Sequence, residues 1–93
     1  MESIIQKEKE CLVCGTTQNL HRHHVFGGVS NRKCSERHGM TVWLCARHHN
    51  MSNAGIHFNR DLDLKVKKYA QEVFESNLGD RDEFRRIFGK SYL

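Results

Sequence analysis

The chain has 93 residues, of which 38% are hydrophobic and none is proline, so it forms one small domain whose apolar core is marginal without a metal or a disulfide. Its 15 Lys and Arg residues outnumber 11 Asp and Glu residues, and the resulting net charge of +4 suits a polyanionic partner. The start MESIIQKEKE is charged and the chain has no long apolar run, so we expect no signal peptide and no membrane span. We therefore expect a cytoplasmic protein, in which cysteines bind metal more often than they form disulfides; two disulfides are the alternative.

The first half of the chain predicts a metal-binding turn and two strands. Residues 1–10 form a polar lead-in or a short helix. The segment CLVCG, Cys11–Gly15, places two thiols around a tight turn that a glycine closes. Strands are predicted over Leu20–Phe26 and over the β-branched and aromatic run Met40–Cys45. Between them, Phe26–Gly39 is polar, basic and glycine-bearing, which predicts a long loop.

The second half of the chain predicts three helices. A short helix covers Ala46–Gly55 and ends at its glycine. Apolar residues then recur at helical spacing from about 61 to 78, and Gly79 ends this helix. Asp80 and Glu83 form a capping-box pattern that starts the last helix. Six apolar residues of these two helices are expected in the core or on a dimer surface: Tyr69, Val73, Phe74, Phe84, Ile87 and Phe88. Three basic residues are expected on the exposed face of the long helix: Lys65, Lys67 and Lys68.

Two pairs of metal-ligating residues flank the predicted strands. Cys11 and Cys14 form a CxxC pair, and Cys45 and His48 form a CxxH pair. Four such ligands suit the tetrahedral coordination of structural zinc, and the gap between the pairs leaves room for a hairpin. The sequence therefore predicts a Cys3His zinc site, and the alternative is two unrelated pairs of buried thiols. Cys34 lies alone and is expected to be a free thiol.

The remaining histidines predict a second centre. In a strand that begins near residue 20, His21 and His23 share one face while His24 faces away. Because His23 and His24 point to opposite faces, one of them can bind a metal while the other contacts a substrate. His49 follows the zinc ligand on the next helix, about 100° round the axis, so it can face the same centre as His23. His21 is expected at the surface or as the cap of a loop.

These motifs resemble those of the HNH nuclease family, whose fold is called ββα-metal. The resemblance is carried by CLVC, HHVFGG, VWLC and ARHHN, and it covers residues 11–57. It implies a small α+β protein of one domain, residues 1–93, in which a zinc-stabilised ββα-metal core is followed by a helical C-terminal extension, residues 58–93. The residues around these motifs also resemble those of small HNH proteins of phages and prophages.

The resemblance implies a metal-dependent DNA endonuclease that hydrolyses phosphodiester bonds, nicking or cutting both strands with low sequence specificity. It places His23 and His49 as ligands of a catalytic divalent ion and His24 as the general base. Asn53 or His57 is expected to complete the metal shell. Histidine ligands accept Mg, Mn, Ni or Zn, so the identity of this ion stays open.

One position departs from the family pattern. The middle Asn of the family lies nine residues before the metal-binding histidine of the helix, and that position is Met40 in this chain. The family Asn braces the loop beside the catalytic histidine. Asn31 or a backbone group is expected to take over this role.

Contacts with DNA phosphates are expected from basic residues that flank the proposed centre: Arg22, Arg32, Lys33, Arg37, Arg47 and Arg60. Guanidinium groups bind phosphates bidentately without reading sequence, although a solvated basic loop has the same composition. A homodimer would allow a double-strand cut. The rival functions are a non-catalytic zinc module that binds nucleic acid or protein, and a subunit that acts only inside a larger phage complex.

Overall fold

Two antiparallel strands and four helices make up the fold, which a computed structural model describes for residues 1–93. The elements in chain order are β1 (Leu20–His24), α1 (Val29–His38), β2 (Thr41–Cys45), α2 (Ala46–His49), α3 (Arg60–Asn77) and α4 (Arg81–Phe88). The predicted small α+β class is thereby confirmed. None of the helices is both long enough and apolar enough to cross a membrane.

The strand register determines which face each histidine of β1 occupies. His23 lies opposite the buried Val42, and its side chain is only 8% exposed. His24 lies opposite Thr41 on the other face, next to the Arg22–Trp43 pair. Successive strand residues point to opposite faces, so the expected separation of His23 from His24 matches the register.

The segment between the strands is a helix, and the prediction of a long loop over Phe26–Gly39 was wrong. Helix α1 follows Gly28, with a φ of 91°, and ends at Gly39, whose left-handed φ of 70° lets its N–H bond to the Ser35 carbonyl. The side chain of Ser35 is fully buried, and its hydroxyl both donates to the Phe26 carbonyl and accepts from the Phe26 N–H. Because α1 packs through this polar contact, its sequence carries no apolar stripe that would have revealed a helix.

The segments on either side of the hairpin also differ from expectation. Residues 1–10 are a polar lead-in without a helix; Ser3 donates to the Thr41 carbonyl and Gln6 Oε1 accepts from the Trp43 N–H, so this segment lies along β2. Helix α2 ends at His49 rather than at Gly55. Gly55 is buried in the turn that follows, where a Cβ would lie 2.8 Å from the His49 carbonyl oxygen.

The two C-terminal helices form where they were predicted and share one core with the hairpin. Asn59 caps α3 by accepting from the Leu62 N–H, and Asp80 caps α4 by accepting from the Glu83 N–H. The core joins residues from both halves of the chain: Val25, Phe26, Met40, Val42, Leu44, Val66, Ala70, Phe74, Phe84 and Phe88. Tyr69, expected in the core or on a dimer surface, is 47% exposed and lies outside this core.

Candidate metal centres and active site

Three cysteines and one histidine converge at the end of the hairpin. The ligand atoms of Cys11, Cys14, Cys45 and His48 all lie within 4.8 Å of one another. The Cys14 and Cys45 sulfurs are 3.8 Å apart, and the Nδ1 atom of His48 lies 3.2 Å from the Cys45 sulfur and 3.7 Å from the Cys11 sulfur. Zinc–sulfur bonds of about 2.3 Å in a tetrahedron require sulfur–sulfur distances of about 3.8 Å. This Cys3His group could therefore bind a metal such as zinc.

The backbone prepares the first cysteine for metal binding. Gly15, with a φ of 78°, closes the turn by donating its N–H to the Cys11 carbonyl. Burial opposes ionisation of Cys11, but hydrogen bonds from the backbone N–H groups of Cys45 and Cys14 outweigh it and lower the pKa of the thiol to about 6. A thiolate is the form that binds zinc. The fourth cysteine, Cys34, lies on α1 outside this group.

Three further histidines form a second group on the other side of α2. Ligand nitrogens of His23, His49 and His57 lie within 4.8 Å of one another, and the Nε2 atoms of His49 and His57 are 3.0 Å apart. The Nε2 atom of His23 is buried and has no hydrogen-bond partner, an arrangement that costs about 1–3 kcal/mol unless something binds it. Neighbouring ligands at about 2.1 Å from an octahedral ion lie about 3.0 Å apart. The residues present therefore fit a second metal ion.

Burial favours the neutral, metal-binding form of His23 and His49. Desolvation, followed by the charges of His49 and His57, lowers the pKa of His23 to about 3. Burial also lowers the pKa of His49. The Nδ1 atom of His49 lies 2.9 Å from the Nδ1 atom of His21, which leaves the other nitrogen of His49 free to face the cluster. His21, expected at the surface, instead orients His49.

Replacing His23 by phenylalanine is expected to make the stability of the protein less sensitive to acid. The unfolded chain has the ordinary histidine pKa of 6.5, so it binds a proton before the folded protein does, and stability present above pH 6.5 is lost as the pH falls toward 3. Between about pH 7.5 and about pH 5.5, the wild type should lose about 1.4 kcal/mol more unfolding free energy than the variant. Urea denaturation at both pH values, without a second metal, measures this difference. Equal losses in the two proteins would contradict the buried, neutral state of His23.

The other face of β1 presents His24 to a carboxylate. The Nε2 atom of His24 lies 3.0 Å from Oε2 of Glu36, while the other carboxylate oxygen of Glu36 lies 2.8 Å from the Arg22 guanidinium. The hydrogen bond with His24, and then the one with Arg22, lowers the pKa of Glu36, which is therefore ionised at neutral pH. A neutral His24 that donates from Nε2 keeps the lone pair of Nδ1 free to accept a proton.

Glu36 was absent from the sequence-based prediction because it lies on α1, which was expected to be a loop. Predicting a helix over these residues would have placed Glu36 beside the end of β1. The polar composition of α1 gave no periodic signal from which to predict that helix. The expected substitute for the family Asn is also corrected. Asn31 donates to the Phe88 carbonyl and so joins α1 to α4 rather than bracing His24.

His24 and the three-histidine group line one open cleft of about 480 Å³. Its wall also contains two arginines and an ion pair contributed by α3: Arg22, Arg32, Asp63 and Lys67. Lys67, expected only on the exposed face of α3, thus faces the cleft. Lys33 lines a neighbouring cleft with His24. Three predicted DNA-contact residues are exposed and line neither cleft: Arg37, Arg47 and Arg60. Asn53, expected as a possible ligand of the second ion, is exposed and lies outside the three-histidine group.

Helix α2 connects the two groups. His48 of the Cys3His group and His49 of the second group are consecutive residues of this four-residue helix.

Comparison of the chain with protein family models, with curated proteins and with solved structures finds no match. The chemistry of the cleft is therefore the basis for assigning a function.

Proposed function

We propose that the protein is a metal-dependent endonuclease of the HNH type, with DNA as its substrate. The observation that carries this proposal is that one cleft holds both the three-histidine group and the carboxylate-braced His24. A zinc module that only binds a partner is complete with its Cys3His group and has no use for a second set of imidazoles. Three protein ligands would also leave coordination positions for a phosphate, as catalytic metal sites require.

The roles of the residues follow from their contacts. A divalent ion held by His23, His49 and His57 would supply a Lewis acid that stabilises negative charge on the phosphate. The Nδ1 atom of His24 accepts a proton from the attacking water, and Glu36 holds the ring in the orientation that leaves this nitrogen free. Arg22 and Arg32 contribute positive charge to the wall of the cleft, where they bind phosphate oxygens without reading sequence.

The proposal extends to the core and its ion. We assign β1, β2 and α2 to a ββα-metal core with zinc in the Cys3His group. The second group contains imidazoles but no carboxylate, which favours Mn, Ni or Zn over Mg. Phage or prophage DNA processing, in which the chain acts as a homodimer or within a larger complex, is the role that we propose for this activity.

A plasmid-nicking assay tests the function. Zinc-loaded protein should convert supercoiled plasmid to the open-circular form when Mn, Ni, Mg or further Zn is added, and not without an added ion. His49→Ala should abolish the reaction because it removes a ligand of the second ion, whereas Arg47→Ala, an exposed neighbour on the same helix, should retain it. Plasmid binding without nicking under every added ion would instead identify a non-catalytic nucleic-acid-binding module.

A further inference from the structure

An ion pair from the C-terminal extension reaches the histidine cleft. Lys67 Nζ lies 2.8 Å from Asp63 Oδ2, one helical turn away on α3, and the two side chains are only 20% and 28% exposed. Both residues line the cleft that contains His23, His49 and His57. Lys65 and Lys68, on the same helix, are exposed and do not line it.

Lys67 is held in the cleft by Asp63 and by the ring of Tyr92, whose centroid lies 5.4 Å from the ammonium. The wall of the cleft carries the cations of Arg22, Arg32 and Lys67. Glu36 pairs with Arg22 and Asp63 pairs with Lys67, so the charge of Arg32 is the one without a carboxylate partner. A divalent ion held by the three histidines would add further positive charge at short range. Together with Arg32, that ion would give the cleft an excess of positive charge, which a bound anion would compensate. A phosphodiester can contact the metal with one oxygen and an ammonium with another.

We infer that Lys67 is a substrate ligand: its ammonium moves from Asp63 to a phosphate oxygen of the DNA strand bound at the histidine group. This inference rests on the proposed nuclease function and assigns a substrate contact to the C-terminal extension. Asp63 is the positioning residue, since it holds the ammonium in the cleft when no strand is bound. Lysine suits this exchange because its compact charge sits on a flexible stem.

Binding measurements separate this contact from general charge. Anisotropy of a labelled DNA strand is recorded with zinc-loaded protein, without added divalent ion, over a range of salt concentrations. Lys67→Gln should weaken binding by about tenfold and reduce the slope of log affinity against log salt by about 0.7–0.9, which corresponds to one phosphate contact. Lys65→Gln and Lys68→Gln remove the same charge from the same helix and should change the affinity less than twofold. Lys67→Arg should retain the affinity.

The partner carboxylate gives the opposite result if the inference is correct. Asp63→Asn removes a competitor for the ammonium and should leave binding equal or tighter, whereas weaker binding would show that the pair only fastens α3. Equal losses of DNA affinity in the three lysine-to-glutamine variants would show that Lys67 is only one charge of a solvated face, and would overturn the inference. Failure of nicking with every ion, with a selective Lys67 effect on binding, would overturn the nuclease and leave the phosphate contact standing.

Discussion

His24→Ala is expected to lower the rate of metal-dependent DNA cleavage by about 10²–10⁴-fold, the usual contribution of a positioned general base. The substitution removes the nitrogen that we propose accepts the proton, but it leaves the three clustered histidines and the arginines of the cleft in place. DNA affinity and the affinity for the second metal should therefore change little. Single-turnover cleavage, anisotropy and metal titration measure the three quantities on the same preparation.

Two further variants show whether His24 acts through Glu36. Glu36→Gln keeps the shape of the side chain and removes its charge, so it should slow cleavage by about 10–100-fold, the value of a charged hydrogen bond. His38→Asn alters a histidine outside both metal groups and the cleft, and should cleave like the wild type. If His24→Ala cleaves at the wild-type rate, another group must be the base.

Cys45→Ser is expected to abolish zinc binding and to unfold the domain at room temperature. Cys45 ends β2 and is buried, and its sulfur lies beside that of Cys14 and beside the His48 ring. Structural zinc contributes apparent binding energies of about 10–16 kcal/mol in small zinc-binding peptides, which equals or exceeds the total stability of a typical domain. Metal analysis should find about one tightly held zinc per wild-type chain, and circular dichroism should show the loss of structure in the variant.

Cys34→Ser is the matched control for this prediction. Cys34 is a half-buried thiol, but it lies on α1 outside the metal group. Its substitution should retain the zinc and change the unfolding free energy by about 1 kcal/mol or less. A strong chelator should unfold the wild type and Cys34→Ser alike. If Cys45→Ser kept a full equivalent of zinc and the wild-type melting temperature, the Cys3His group would not be the structural centre.

The sequence was informative where a residue type and its spacing express one chemical requirement. The CxxC and CxxH pairs were enough to identify the four ligands of the first group, because tetrahedral zinc restricts both ligand type and spacing. Strand alternation placed His23 and His24 on opposite faces, and helical periodicity located α3 and α4. In each case, the pattern that forms the element is local along the chain.

The parts that the sequence did not reveal depend on packing between distant segments. Helix α1 is stabilised by the buried hydroxyl of Ser35 and by glycines at its ends, so hydrophobic periodicity could not detect it, and Glu36 was missed with it. The helical pattern predicts an exposed position for Lys67. It faces the cleft because α3 shares the core of the hairpin through Val66 and Ala70. His21 likewise finds its partner only through the approach of α2 to β1.

The consecutive residues His48 and His49 have a consequence for how the protein responds to its surroundings. A single peptide unit of α2 joins the Cys3His group to the three-histidine group, so movement of one group must displace the other. Under zinc starvation, the protein would therefore lose its activity abruptly, even where manganese or nickel is plentiful. Activity would therefore require both metals, because the second ion can act only in a domain that zinc has folded.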